Sequence, residues 1–310
     1  VHEQSTDSLL TIIAGEEDAV QQLQVIHAQP SMLGEGPCWD ADNRQLYWVD
    51  IESGHIHRLD VDTGQVATAD FGQKVGAVAL RQSGGLIVAA QHGIYLFDME
   101  TREQVRIANP EADLPNNRFN DGKCDAKGRF WAGTMSMDGE PGKGALYCIE
   151  PDHTVRKMVE SVNLSNGLAW SPDNTVLYYI DSPTFRITAY EFHLETGELG
   201  ASGVVAHIPE NLGTPDGMTI DAEGKLWVAH WGGSRITRWD PQTGRQIGEI
   251  PMPVSKPTCC IFGGDALDQL YITSARIGSS DEELAAQPLN GAVFRAQPDA
   301  SGLPAHKFGG

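Results

Sequence analysis

No stretch of this 310-residue sequence approaches the roughly 20 consecutive apolar residues of a membrane-spanning helix, so a soluble chain is expected. Basic residues are scarce as well: 22 lysines and arginines stand against 42 aspartates and glutamates, a formal net charge of −20. Nucleic acid and anionic membrane both demand a positive footprint, so neither is expected as a partner. The five cysteines, Cys38, Cys124, Cys148, Cys259 and Cys260, are odd in number and lack C-x-x-C spacing. That argues against a disulfide framework or thiolate zinc site, and for buried thiols in a reducing, cytoplasmic compartment. The first twenty residues lack the basic start and long apolar stretch of a signal peptide, although export stays open. Also missing are H-x-x-x-H spacing and any G-x-S-x-G elbow, P-loop or G-x-G-x-x-G in a usable context.

What is present is glycine, proline and repetition. Thirty-four glycines and 17 prolines, with few helical periodicities, point to many short strands and turns. Residues 216–230 read DGMTIDAEGKLWVAH, and 120–134 read NDGKCDAKGRFWAGT at the same offsets. Residues 35–50 (EGPCWDADNRQLYWVD) and 166–181 (NGLAWSPDNTVLYYID) repeat the pattern with an extra turn residue. Weaker copies start at Gly76 and Thr258, giving a period of about 45 residues, in the range of propeller blades. Each unit continues with a third strand ("HIHRLD", "GIYLFD", "RITRWD") and a turn such as "VDTGQ" or "PQTGR" before a fourth. The fold expected is all-β, a single six-bladed propeller of four-stranded antiparallel blades over residues 21–310. The sixth unit lacks a fourth strand, so the N-terminal strand "LQVIHAQ" is expected to dock there and close the ring. Residues 1–20 form an extension outside the repeat, expected to be poorly ordered.

Aligned on the turn and second strand, Glu35, Asn120, Asn166 and Asp216 occupy one position, at the start of the innermost strand. Five residues on, Asp40, Asp125, Ser171 and Asp221 read as turn-formers. Asn or Asp before glycine commonly makes local turn hydrogen bonds, and that suffices for any one of these positions. Four at one repeat position aim oxygens at the axis from one height, where unpaired carboxylates repel and lose hydration. One divalent cation removes that cost. All-oxygen donors suit Ca²⁺, Mg²⁺ or Mn²⁺, with Zn²⁺ and Fe²⁺ also open. The second strands end near the same face, which makes Asp50, Thr134, Asp181, His230 and Ser274 candidate pocket residues, a structural role for His230 being equally open.

The segments LGEGPCWD, NNRFNDGKCDAKGRFWAGTM, SNGLAWSPD, TPDGMTIDAEGKLWVA and CCIFGG…LYITSAR occur in order. Together they resemble the gluconolactonase family, which includes regucalcin (senescence marker protein), luciferin-regenerating enzyme and bacterial sugar lactonases, the last being most similar. The resemblance covers roughly residues 25–310 and implies a six-bladed propeller hydrolysing aldonic-acid lactones with one divalent metal. It implies Glu35, Asn166 and Asp216 as metal ligands, Asp216 as catalytic carboxylate, and Arg118 and Asn120 as substrate contacts. A further family contact, a glutamate, would fall at about Asp138, a shorter acid in a loop of different sequence. The expected partner is a small sugar lactone, with no obligate protein partner. Alternatives are a calcium-binding regulator of regucalcin type, a phosphotriesterase-like hydrolase as in diisopropyl fluorophosphatase propellers, and an interaction scaffold. Arg118 favours sugars over phosphotriesters.

Overall fold

The computed structural model describes residues 23–310 and the short strand Leu9–Leu10. Six sheets are arranged as blades, each with its first strand innermost. Those innermost strands are Gly34–Asp40, Val75–Leu80, Asn117–Cys124, Ser165–Trp170, Thr214–Ile220 and Pro257–Gly263, in blades 1 to 6. Each touches the next around the axis, and the sixth touches the first, so the ring is closed. They are almost wholly buried, whereas an outermost strand such as Gln104–Ala108 is largely exposed. The apolar core therefore lies between blades, in layers that include Trp48, Trp131, Phe97 and Phe294, all essentially inaccessible.

The closure expected from the sequence is present. Leu23–His27 pairs antiparallel with Val293–Ala296 and supplies the fourth strand of blade 6. Leu9–Leu10 adds a short fifth strand outside it. The rest of the 1–20 extension lies outside the described residues. The turn grammar is equally concrete: Asp60 Oδ1 accepts from the Asp62 and Thr63 N–H groups, and Asp240 Oδ1 from that of Gln242. Gly64 and Gly244 then take φ of 71° and 68°, left-handed values that a glycine adopts without steric cost.

The second row of repeated side chains is confirmed as turn-forming and extends beyond that role. Asp125 and Asp221 receive main-chain N–H groups of their own turns. They also receive an indole and a guanidinium from the blade: Trp131 Nε1 at 2.9 Å and Arg129 Nε at 2.6 Å for Asp125. Asp221 takes Trp227 Nε1 at 3.0 Å and Arg238 Nε at 2.8 Å. Both aspartates are fully buried, with their charges matched.

Candidate active site

Each of the four donor-bearing innermost strands breaks its pairing at the same place. The register shifts between Glu35 and Cys38, Phe119 and Gly122, Ser165 and Leu168, and Pro215 and Met218. Such bulges re-aim side chains, here Glu35, Asn120, Asn166 and Asp216, towards the axis. The residue that follows is glycine in blades 1, 4 and 5, for its left-handed φ of 51° at Gly36 and for reasons of space at Gly167 and Gly217. A Cβ on Gly217 would lie 2.3 Å from Cys259 Sγ, and one on Gly167 would lie 2.5 Å from Met218 Cβ. The D-G and N-G pairs are thus where one blade's inner strand admits the next.

All four donors, with Arg118, line one cavity of about 200 Å³ at this end of the channel. Leu33, Met135, Leu164 and Trp231 form its apolar wall. The amides are held in a chain. Arg118 Nη1 donates to Asn120 Oδ1 at 2.6 Å and to the Phe119 carbonyl at 3.0 Å. Asn120 Nδ2 donates to the Ser165 carbonyl at 2.8 Å and to Asn166 Oδ1 at 3.2 Å, and Asn166 Nδ2 donates to Ser182 Oγ at 2.9 Å. The carboxylates are poorly served by comparison: Glu35 accepts only from the adjacent Gly36 N–H, at 3.1 Å, among the described residues.

Electrostatics follows from that imbalance. Burial pushes the Glu35 carboxyl well above its ordinary range, with Asp216 and Asp121 adding to the shift. Asp216 is also raised well above its ordinary range, by burial and then by Asp121, while the Asn166 amide and Arg118 oppose the shift. Burial pulls the Arg118 guanidinium down, opposed by Glu52, Glu35 and Asp216.

Asp121 had no place in the sequence reading. It stands where the other three donor strands carry glycine, and that exception in the repeat was the available signal. Its Oδ1 accepts from the Gly122 N–H at 2.7 Å, and its buried Oδ2 has no partner among the described residues. Ser182 and the apolar wall were missed too: Ser182, Leu33 and Leu164 lie outside the repeated strands, whereas Met135 and Trp231 stand on second strands, one residue beyond Thr134 and His230.

The remaining candidates lie elsewhere. Asp138 lines a separate surface depression and accepts from Asn116 Nδ2 at 2.6 Å, outside the cavity. Asp50 accepts from the Met32 and Leu33 N–H groups at 2.9 and 3.0 Å. Asp181 does the same for Asn163 and Leu164 at 3.2 and 2.9 Å. These two acids shape the loops that place Leu33 and Leu164 but do not reach the cavity themselves. His230 is enclosed within blade 5, its Nε2 2.6 Å from Thr237 Oγ1, and burial lowers its pKa to about 4. Thr134 bonds to Glu111 and Ser274 to the Ala292 carbonyl, both inside their blades. These five polar side chains near the second-strand ends are therefore taken up by neighbouring backbone or side chains, while the adjacent Met135 and Trp231 face the cavity.

Among known proteins, residues 33–276 match the family described as the SMP-30/Gluconolactonase/LRE-like region. Regucalcin of Danio rerio is 40% identical over 292 residues, covering 93% of this chain and 99% of the relative. A candidate sugar lactone lactonase of Bacillus subtilis (strain 168) is 38% identical over 280 residues, covering 90% and 96%. The crystal structure of a calcium-binding protein, regucalcin, from Agrobacterium tumefaciens superposes with a TM-score of 0.88 at 29% identity, covering 92% and 96%. With that match spanning residues 33–276 and relatives 38–40% identical along most of its length, this chain belongs to the SMP-30/gluconolactonase/LRE-like family.

Proposed function

We propose that the protein is a divalent-metal-dependent lactonase that opens sugar lactones to aldonic acids. The observation that carries this reading is the convergence of Glu35, Asn120, Asn166 and Asp216 in one cavity beside Arg118. Family membership supports lactone hydrolysis, and the names of the Bacillus and Agrobacterium relatives point to lactones and to calcium. The donor chemistry fits a hard cation: two carboxyl groups whose charged forms burial disfavours until a counter-charge is present, with two amide side chains beside them. No third His, Cys, Asp or Glu joins a metal-holding group among the described residues, so the amides and solvent would complete the shell. Glu35, Asn166 and Asp216 would hold the ion, with Asn120 beside them.

A bound divalent cation would supply Lewis acidity to the lactone carbonyl, stabilising the charge that develops on its oxygen. The chain's own residues do the rest. The Asp216 carboxylate accepts the proton of the attacking water, and burial shifts its basicity in the direction that a general base requires. Arg118 uses one nitrogen on Asn120 and Phe119, which leaves its other N–H groups to hold sugar hydroxyls and position the ring. Leu33, Met135, Leu164 and Trp231 restrict water around the reacting carbonyl. The five cysteines, all buried and free, suit a cytoplasmic location.

Chelated protein, assayed on gluconolactone, xylonolactone, arabinonolactone and galactonolactone, should be inactive and recover with one of Ca²⁺, Zn²⁺, Mn²⁺, Mg²⁺ or Fe²⁺. Full activity after chelation would overturn the metal requirement. Tight cation binding without turnover of any lactone would instead favour a calcium-binding regulator, the role suggested by the Agrobacterium protein's name.

A further inference from the structure

The innermost strands also enclose a second cavity, at the opposite end of the channel. Its volume is about 210 Å³, and it shares no lining residue with the first. Val78, Trp170, Ile220 and Ile261 contribute apolar walls from blades 2, 4, 5 and 6, and Leu303 covers it from the segment crossing its mouth. That segment is pinned at both ends: Gly302 N donates to the Leu267 carbonyl at 2.7 Å, and Phe308 N to the Leu80 carbonyl at 2.8 Å. Between the pins, the main chain of residues 303–307 makes no hydrogen bond among the described residues. A strap of this kind leaves open an apolar space whose lining lacks contact partners on one side.

A single charged side chain faces that space. Lys123 is the only Lys, Arg, Asp or Glu among the lining residues, in a chain of net charge −20. Its Nζ donates to the Leu168 carbonyl at 3.0 Å and to the Met218 carbonyl at 2.8 Å. An ammonium has three donors, so one remains. Thr219 also lines the wall and carries a hydroxyl that can donate to an anion. His306 stands at the solvent rim with its imidazole pushed below the ordinary value by desolvation, so it is neutral at pH 7.

We propose that this cavity is a second ligand site, for a small monoanion with an apolar body, such as a short-chain or aromatic carboxylate. The carboxylate accepts from Lys123 and Thr219, and the hydrocarbon fills the space beneath Leu303. A sugar acid fits less well, since several of its hydroxyls would face Val78, Trp170, Ile220, Ile261 and Leu303. The site is therefore distinct in chemistry from the lactone site, and its test does not depend on lactonase activity.

Isothermal titration of the full chain with benzoate, and with uncharged benzyl alcohol, tests the assignment. Wild type should bind one benzoate per chain, more tightly than benzyl alcohol. Lys123→Met should weaken benzoate at least tenfold and leave benzyl alcohol unchanged, while Arg118→Ala in the other cavity should alter neither. Because Lys123 also ties two strands together, Ala305→Trp provides a second variant, which should block the mouth and abolish binding of both probes. Absence of saturable benzoate binding to wild type, equal binding by a folded Lys123→Met, or loss on Arg118→Ala would each overturn the proposal.

Discussion

Two rows of oxygen-bearing side chains run around this propeller five residues apart, and their hydrogen-bond partners differ sharply. In the turn row, Asp125 and Asp221 are fully buried but each meets N–H groups, an indole and a guanidinium. In the axial row, Glu35 and Asp216 are also buried, and burial and neighbouring carboxylates hold both pKa values well above the ordinary range. Satisfied buried charges stabilise a fold. Unsatisfied ones cost stability and persist where a ligand or a reaction uses them. The same residue type at two repeat positions thus serves architecture in one row and chemistry in the other.

That contrast makes opposite demands on mutants, the largest effect being expected in the axial row. Asp216→Asn, saturated with metal, should lose about 10²- to 10⁴-fold in kcat, the usual worth of a general base, with an unchanged fold. Steady-state kinetics together with circular dichroism checks this, and near wild-type kcat would remove Asp216 from the proton-transfer role. Asp125→Ala should do the reverse. It leaves the Arg129 guanidinium, 3% exposed, without its partner, so denaturant titration should register a loss of roughly 3–5 kcal/mol. Turnover per folded molecule should stay near wild type.

Arg118→Ala sharpens the assignment within the axial site. Losing a charge-assisted hydrogen bond of about 1.5–3 kcal/mol should lower kcat/KM on gluconolactone roughly 10- to 150-fold. The unsubstituted γ-butyrolactone, with no hydroxyls to hold, should be affected much less. Equal losses on the two substrates would refute positioning by Arg118.

The smallest effect has an unusual sign. Glu35 has a folded-state pKa above its ordinary 4.5, so the metal-free protein loses stability as pH rises from about that value through the folded pKa. Glu35→Gln removes this loss. Chelated Glu35→Gln should therefore match chelated wild type near pH 4 and melt higher at pH 8. The gap should widen by about 1.4 kcal/mol for each tenfold fall in proton concentration between the ordinary and the folded pKa. Added divalent cation should reverse the order, since only wild type retains the charged donor. A chelated variant that melts lower than wild type at pH 8 would mean that the Glu35 carboxylate is well paired after all.

The blades, their number and the circular closure were legible in the sequence because turns and strands are local. An aspartate a few residues before a left-handed glycine, and alternation into an apolar layer, recur from unit to unit whatever surrounds them. The four axial donors were legible for the same reason, since a repeat places equivalent residues at equivalent heights. Local pattern could not tell whether a second-strand end faces a cavity or a neighbouring backbone. Asp50, Asp181 and His230 look like a polar rim in the sequence, but loop N–H groups and Thr237 take up their side chains. Nor could it reveal that Asp121 holds an oxygen unpartnered among the described residues, beside the donors, or that residues 303–307 strap a second cavity. Those features depend on what each blade and its connecting loops bring to the others across the axis. Partners distant in sequence decide them, and only the closed ring brings those partners together.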